Sequence, residues 1–126
     1  MSWQAYVDTN LLGSNKISKA AILGQKGGVW AASAGYTLSP QEQSAILAAH
    51  TNPDATQANG IRLCNQKFFT LSVNARSVYG KKSAEGCLLV KTKQAILVAE
   101  YGPPNQHAEV AKVVEGLADY LISVGY

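Results

Sequence analysis

The side chains that could do chemistry in this sequence fall into two groups, and neither is a set of nucleophiles or metal ligands. The first is aromatic with polar handles: Trp3 and Tyr6 stand three residues apart at the beginning, Trp30 lies in a β-rich stretch, and Tyr120 and Tyr126 sit at the far end. An indole N–H or phenol O–H donates a hydrogen bond while its ring offers a flat apolar surface. The second group is cationic. Between positions 62 and 93, Arg62, Lys67, Arg76, Lys81, Lys82, Lys91 and Lys93 oppose the single acid Glu85, so this segment carries +6 and the remainder −3 of a formal net charge of +3. Such asymmetry fits either an acidic partner or a solvated sheet face.

Catalytic constellations are missing. His50 and His107 are the only histidines, neither stands at metal-ligand spacing from a Cys, Asp or Glu, and no GxxxxGK[ST] loop is present. His50 reads as a helix C-terminal residue favoured by the dipole, and His107 as a first-turn surface residue. The expectation is a non-enzymatic protein with no metal and no cofactor. Cys64 and Cys87 read as reduced core thiols. The opening stretch, with Asp8 among polar Gln4, Thr9 and Asn10, does not have the pattern of a secretory signal. Apolar runs such as AILVA at 95–99 fall far short of the roughly 20 residues that cross a bilayer. A cytoplasmic protein is expected. Its 126 residues, 47% hydrophobic and 15% charged, suit one well-filled domain spanning 1–126.

The elements that must position these side chains follow from periodicity and punctuation. Ser2 is a suitable N-cap for a short amphipathic helix carrying Trp3, Tyr6, Val7 and Leu11, ended at Gly13. KAAILG and VWAASA flank QKGG as a hairpin. Ser39-Pro40-Gln41-Glu42 combines N-cap, first-turn proline and capping-box glutamate, so a helix runs to about His50, where Asn52-Pro53 stops it. IRLC, KFFTLSV, RSVYG, GCLLVKT and AILVAEY read as five strands, and their short connections require an antiparallel meander. After Pro103-Pro104, from Asn105, Val110, Val113, Val114, Leu117, Leu121 and Val124 mark one face of a helix with Glu109, Lys112, Glu115 and Asp119 opposite. The fold class is α+β, a central antiparallel sheet with the terminal helices together on one face and shorter helices on the other.

If the first and last helices lie side by side on one sheet face, Trp3, Tyr6, Trp30, Tyr120 and Tyr126 line a single groove with N–H and O–H groups outward. Such a groove suits a polyproline II segment. That ligand lacks most backbone donors, presents free carbonyls and flat rings, and loses little entropy because it is already extended. Core or terminal packing is the plainer use of any one of these rings. Five rings drawn from both ends favour the groove.

Three separated motifs then make the sequence similar to the profilin family in its fungal form. MSWQAYVD resembles the family's N-terminal signature, AEGCLLVKTKQAILVAEY its last hairpin, and VVEGLADYLISVGY its terminal helix. The resemblance covers the whole chain. It implies a protein, monomeric itself, that binds actin monomers, docks proline-rich segments of formins and related assembly factors, accelerates nucleotide exchange on actin and binds phosphatidylinositol phosphates. It also implies a polyproline site at Trp3, Tyr6, Trp30, Tyr120 and Tyr126, and an actin face on the later strands and outer side of the last helix: Lys67, Val73, Arg76, Lys81, Lys82, Lys91 and Lys112. Two departures stand out. VDTNLL holds one residue more than many relatives have, and Ser72 replaces a basic residue carried by some yeast relatives.

The alternatives are of other classes. A general anion or phosphoinositide module would use the basic stretch 62–93 without actin. Nucleic-acid binding would need stacking by Tyr79, Phe68 or Phe69, but RNA-binding signatures such as KGFGFVxF are absent and core packing is the expected use of these rings, so no nucleic-acid partner is expected. Exchange acceleration needs no catalytic side chain: a preference of about 1.4 kcal/mol for an open nucleotide cleft is tenfold.

Overall fold

The computed structural model describes residues 3–74 and 76–126. The expected cap at Ser2 lies outside these residues. The chain opens with α1 (Trp3–Ala5), which runs on through a π-helical turn (Tyr6–Leu11) and a 3-10 turn (Leu12–Ser14). A π turn closes i→i+5 bonds and so holds one residue more than a regular turn. Gly13 therefore does not end the helix as expected. Asn15, in the left-handed region at φ 62°, does.

Seven strands follow: β1 (Lys19–Gly24), β2 (Val29–Ala32), β3 (Ile61–Leu63), β4 (Gln66–Val73), β5 (Ser77–Lys82), β6 (Glu85–Lys91) and β7 (Ala95–Tyr101). They form one antiparallel sheet in the order β2-β1-β7-β6-β5-β4-β3, which is the expected hairpin joined to the expected meander. β2 is shorter than its apolar run because Ser33 turns its hydroxyl back to accept from the Ala20 N–H at 3.2 Å. Cys64 and Asn65 take positive φ in the β3–β4 turn. Cys64 is thus half-buried, its thiol donating to the Thr37 carbonyl at 3.1 Å, and not the core thiol expected; Cys87 is fully buried.

Between the strand groups lie α2 (Pro40–Ala49) and α3 (Pro53–Asn59). The capping box of α2 is complete: Ser39 Oγ accepts from the Glu42 N–H at 3.1 Å and Glu42 Oε1 from the Ser39 N–H at 2.9 Å. Its other oxygen, Oε2, accepts from the Asn65 N–H at 2.7 Å and fastens α2 to the β3–β4 turn. Helix α3 was not expected. Pro53 does stop α2, but it also serves as the first-turn residue of α3 behind an Asn52 cap. The last helix, α4 (His107–Ser123), starts two residues later than its expected beginning.

Two apolar layers sandwich the sheet. Val7, Leu11, Val110, Val114, Leu117 and Leu121 from the terminal helices pack on Ile22, Leu88, Val90, Leu97 and Ala99 on one side. Ile46, Ala49, Tyr36 and Leu38 pack on Leu23, Phe68, Val78, Leu89 and Val98 on the other. β7 is buried along its whole length because both sides are covered, which explains its unbroken apolar run. Among the described residues no helix is long and apolar enough to cross a membrane.

Candidate functional site

The first helix lies over β1 and β2 and α4 over β6 and β7, and the five aromatic residues come together along the line where the two helices meet. Trp3 is the hub: its ring centroid lies 4.6 Å from Trp30, 5.5 Å from Tyr6 and 5.1 Å from Tyr126, the last edge-on at 88°. Tyr6 in turn lies 6.2 Å from Tyr120. Val7 and Leu11 explain why: both are fully buried under the first helix, so Trp3 and Tyr6 are left on its rim. On α4 the same division holds, with Leu117 and Leu121 buried and Tyr120 50% exposed. A hydrogen bond to Tyr120 pushes the Tyr6 phenol above its ordinary pKa, with desolvation and the nearby tyrosine hydroxyls acting in the same direction. It is a neutral donor under physiological conditions.

Each ring is held by its backbone. Gln4 donates from Nε2 to the Ala32 carbonyl at 2.8 Å, pinning the first helix to β2. Gly125, at φ 96°, turns the chain out of α4, and the Tyr126 carbonyl accepts from the Gln94 N–H at 2.6 Å and from Thr92 Oγ1 at 2.7 Å. Trp30 lies flat across β1 because Gly24 has no side chain. A Cβ there would meet the indole at 2.6 Å from Nε1 and 2.8 Å from Cε2. Sequence reading passed over Gly24, whose signal was an isolated glycine at the end of a strand.

The seven expected actin-face positions are divided by strand alternation. Lys81 pairs with Phe69 and follows Tyr79 by two, and Tyr79 packs under α4, so Lys81 and Phe69 point to the α4 side. Val73 pairs with Val78 and packs in the opposite layer. Lys91 pairs with Ile96 of that same opposite layer, and Lys82 alternates away from Lys81, its Nζ 3.3 Å from Gln66 Oε1. Lys112 is exposed on α4. Arg76 is not a free cation: Nε lies 2.9 Å from Glu115 Oε1 and Nη2 2.8 Å from Asp119 Oδ1, binding β5 to α4. Glu115 Oε2 also accepts from Ser77 Oγ at 2.7 Å and Tyr79 Oη at 2.8 Å.

Two large apolar side chains on this face were not foreseen. Phe69 is 68% and Leu71 59% exposed on β4, beside Lys67, whose Nζ lies 5.6 Å over the Phe69 ring. Phe69 was expected in the core with Phe68, and only Phe68 is there. A bulge between Thr70 and Ser72 shifts the register, so strict alternation does not extend along β4. The histidines also differ from expectation. His50 does cap α2, but its Nε2 lies 3.3 Å from the Leu89 carbonyl and burial lowers its pKa. His107 opens α4 half-buried, edge-on to Tyr79 at 4.4 Å and with Nδ1 3.4 Å from the Tyr101 hydroxyl. Among the described residues no three His, Cys, Asp or Glu side chains gather to hold a metal.

Comparison with known proteins agrees with this architecture throughout. The profilin family model matches residues 1–126. The profilin of Schizosaccharomyces pombe is 50% identical over 127 residues, with all of both chains covered, and that of Saccharomyces cerevisiae 47% on the same terms. A solved structure of Acanthamoeba castellanii profilin IB superposes with TM-score 0.96 at 46% identity, over 99% of this chain and 100% of that one. Mouse profilin IIa, solved in complex with a double repeat from the FH1 domain of mDia1, shares the fold at 20% identity and TM-score 0.83, with both chains fully covered. With rings from both termini over one face of a seven-stranded sheet, and with relatives matched from end to end, this chain belongs to the profilin family, whose members are non-enzymatic actin-binding proteins of the cytoskeleton.

Proposed function

We propose that this protein is a cytoplasmic actin-monomer-binding protein that carries proline-rich segments of formin-type assembly factors in the groove of Trp3, Tyr6, Trp30, Tyr120 and Tyr126. The observation that carries the reading is the ring cluster itself, with neighbouring centroids 4.6 to 6.2 Å apart. Flat rings with outward donors match a rod of pyrrolidine rings with unpaired carbonyls. The FH1 complex of the mouse relative supports this choice of ligand.

Actin binding is assigned to the face formed by β4, β5 and α4. Lys67, Lys81 and Lys112 supply positive charge there, and exposed Phe69 and Leu71 supply an apolar centre. Apolar contact provides affinity and the lysines steer encounter and orientation. Arg76 contributes by holding α4 against β5, as its charge is already met by Glu115 and Asp119. Val73, Lys82 and Lys91 belong to the margins of the face or to the opposite side of the sheet. Acceleration of nucleotide exchange is a population shift in actin, and phosphatidylinositol phosphates compete for the same lysines.

The test is titration with monomeric actin and a proline peptide, alone and together, on the parent and on Tyr6→Asp. The substitution places a carboxylate between Trp3 and Tyr120, so retention on poly-L-proline should vanish while actin affinity stays within about twofold. Unchanged retention contradicts the groove, and equal loss of both activities contradicts their separation.

A further inference from the structure

Beyond the ring groove the structure contains a second feature that the proposed function does not use. At the Trp30 end, a cleft of about 350 Å³ is lined by Trp30, Gly24, Lys26, Gly27, Lys93 and Gln94, together with Gln25. Lys26 sits on the β1–β2 turn and Lys93 on the β6–β7 turn, and both are exposed. The two turns are fastened to each other. The Gln25 N–H donates to the Gln94 carbonyl at 2.9 Å, and the Gln25 side chain donates to the Thr92 carbonyl. Gln94 Nε2 also donates to the Gly125 carbonyl at 2.8 Å, tying the same corner to the end of α4. Each lysine is thus one residue from an anchored glutamine, and among the described residues neither makes an ion pair or a side-chain hydrogen bond.

The opposite end of the groove differs. There a cleft of about 330 Å³ is lined by Tyr6, Asn10, Val113, Gly116, Leu117 and Tyr120, with no cation. The ring steps from Trp30 through Trp3 and Tyr6 to Tyr120 measure 4.6, 5.5 and 6.2 Å, so the row accommodates at most about five residues of polyproline II at roughly 3.1 Å each. A rod filling the groove therefore sends its next one or two residues over Lys26 and Lys93 at one end and over an uncharged cleft at the other.

We propose that Lys26 and Lys93 form a subsite for acidic residues flanking the proline segment, and that this subsite selects among proline-rich ligands and fixes the direction in which they lie. The inference rests on the groove reading above. Two lysines without ion-pair partners among the described residues, at a corner continuous with an aromatic groove, complement a carboxylate on the same extended chain. The charge also gives a pseudo-symmetric ligand a preferred polarity, since a polyproline rod presents similar rings and carbonyls in either direction.

The experiment compares three blocked peptides with the same proline core: one neutral, one with two aspartates added before it, and one with two added after it. Binding is followed by tryptophan fluorescence at low ionic strength. One of the two acidic peptides should bind about three- to tenfold more tightly than the neutral one, the scale expected for two exposed ion pairs, and the other less than about twofold. Raising salt to about 0.5 M should erase most of the difference. The double substitution Lys26→Gln with Lys93→Gln should remove it at low salt and leave neutral-peptide affinity unchanged. Equal gain at both flanks, no gain, or a gain that survives the double substitution overturns the subsite while leaving the groove standing. Failure of the neutral peptide to bind overturns the groove and the subsite with it.

Discussion

Gly24→Ala tests the physical claim that Trp30 owes its position to the absence of a side chain beneath it. The added Cβ would meet the indole at 2.6, 2.8 and 3.0 Å, where ordinary contact begins at 3.4 Å, so the ring must lift by nearly 1 Å. The neighbour that yields is the side chain, because the Gly24 backbone is held in β1 by pairing with Ala95 and by its N–H to the Gly28 carbonyl at 3.0 Å. Trp30 is already 36% exposed and can swing outward, so global stability should fall by only about 1 kcal/mol, the low end of overpacking costs. The groove suffers more. Lifting the ring breaks its 4.6 Å contact with Trp3 and withdraws roughly 30–55 Å² of apolar surface from the ligand, about 0.8–1.4 kcal/mol at about 25 cal/mol per Å², so proline-peptide affinity falls about three- to tenfold. A double-mutant cycle with Trp30→Ala isolates the effect. Measured by calorimetric titration of one proline peptide, Gly24→Ala should weaken the parent but change Trp30→Ala by less than about twofold, because the collision partner is gone. A full loss in both backgrounds would mean that Gly24 acts through the hairpin backbone, and the close-approach argument would fail.

Lys81→Glu should lower actin affinity about tenfold, mostly through a slower association rate that salt masks, with poly-L-proline retention unchanged; an effect independent of salt would refute steering. Glu115→Ala removes the shared acceptor of Arg76, Ser77 and Tyr79 and should cost about 2–4 kcal/mol by urea unfolding, with Tyr79→Phe recovering part of it, since the orphaned hydroxyl is then absent too. Glu100 is buried with Oε2 unpartnered, and burial raises its pKa against the opposing pull of Tyr36 and Lys19. Its folded pKa lies above the unfolded one, so its ionisation destabilises the fold as pH rises from the ordinary carboxylate range through the raised value. Glu100→Gln should therefore increase stability by about 1–2 kcal/mol at neutral pH, with the gain closing near pH 4 in melting curves.

Much of the fold was legible because local physics repeats in the sequence. Ser39 through Glu42 encode a complete capping box, and the valine and leucine spacing of α4 leaves one buried face. Short polar turns left no room for parallel crossovers, so the meander order followed. Helix α3 escaped because Pro53 carries two meanings, ending one helix and beginning another, and a seven-residue helix offers little periodicity to separate them. Phe69 escaped because alternation sends it to the face opposite Phe68, and only the packing of the folded sheet decides which of the two faces is covered there.

The same division runs through the binding groove. Residue types, their placement at both termini and the helical and strand periods were enough to nominate Trp3, Tyr6, Trp30, Tyr120 and Tyr126, since apolar rings with hydrogen-bond donors are recognisable wherever they stand. Only the folded chain decided that Gly24 makes space for Trp30, that Arg76 spends its charge on α4, and that Lys26 and Lys93 share one corner. Each of these depends on atoms far apart in sequence meeting across the sheet, and neither hydropathy nor spacing along a linear chain carries that distance.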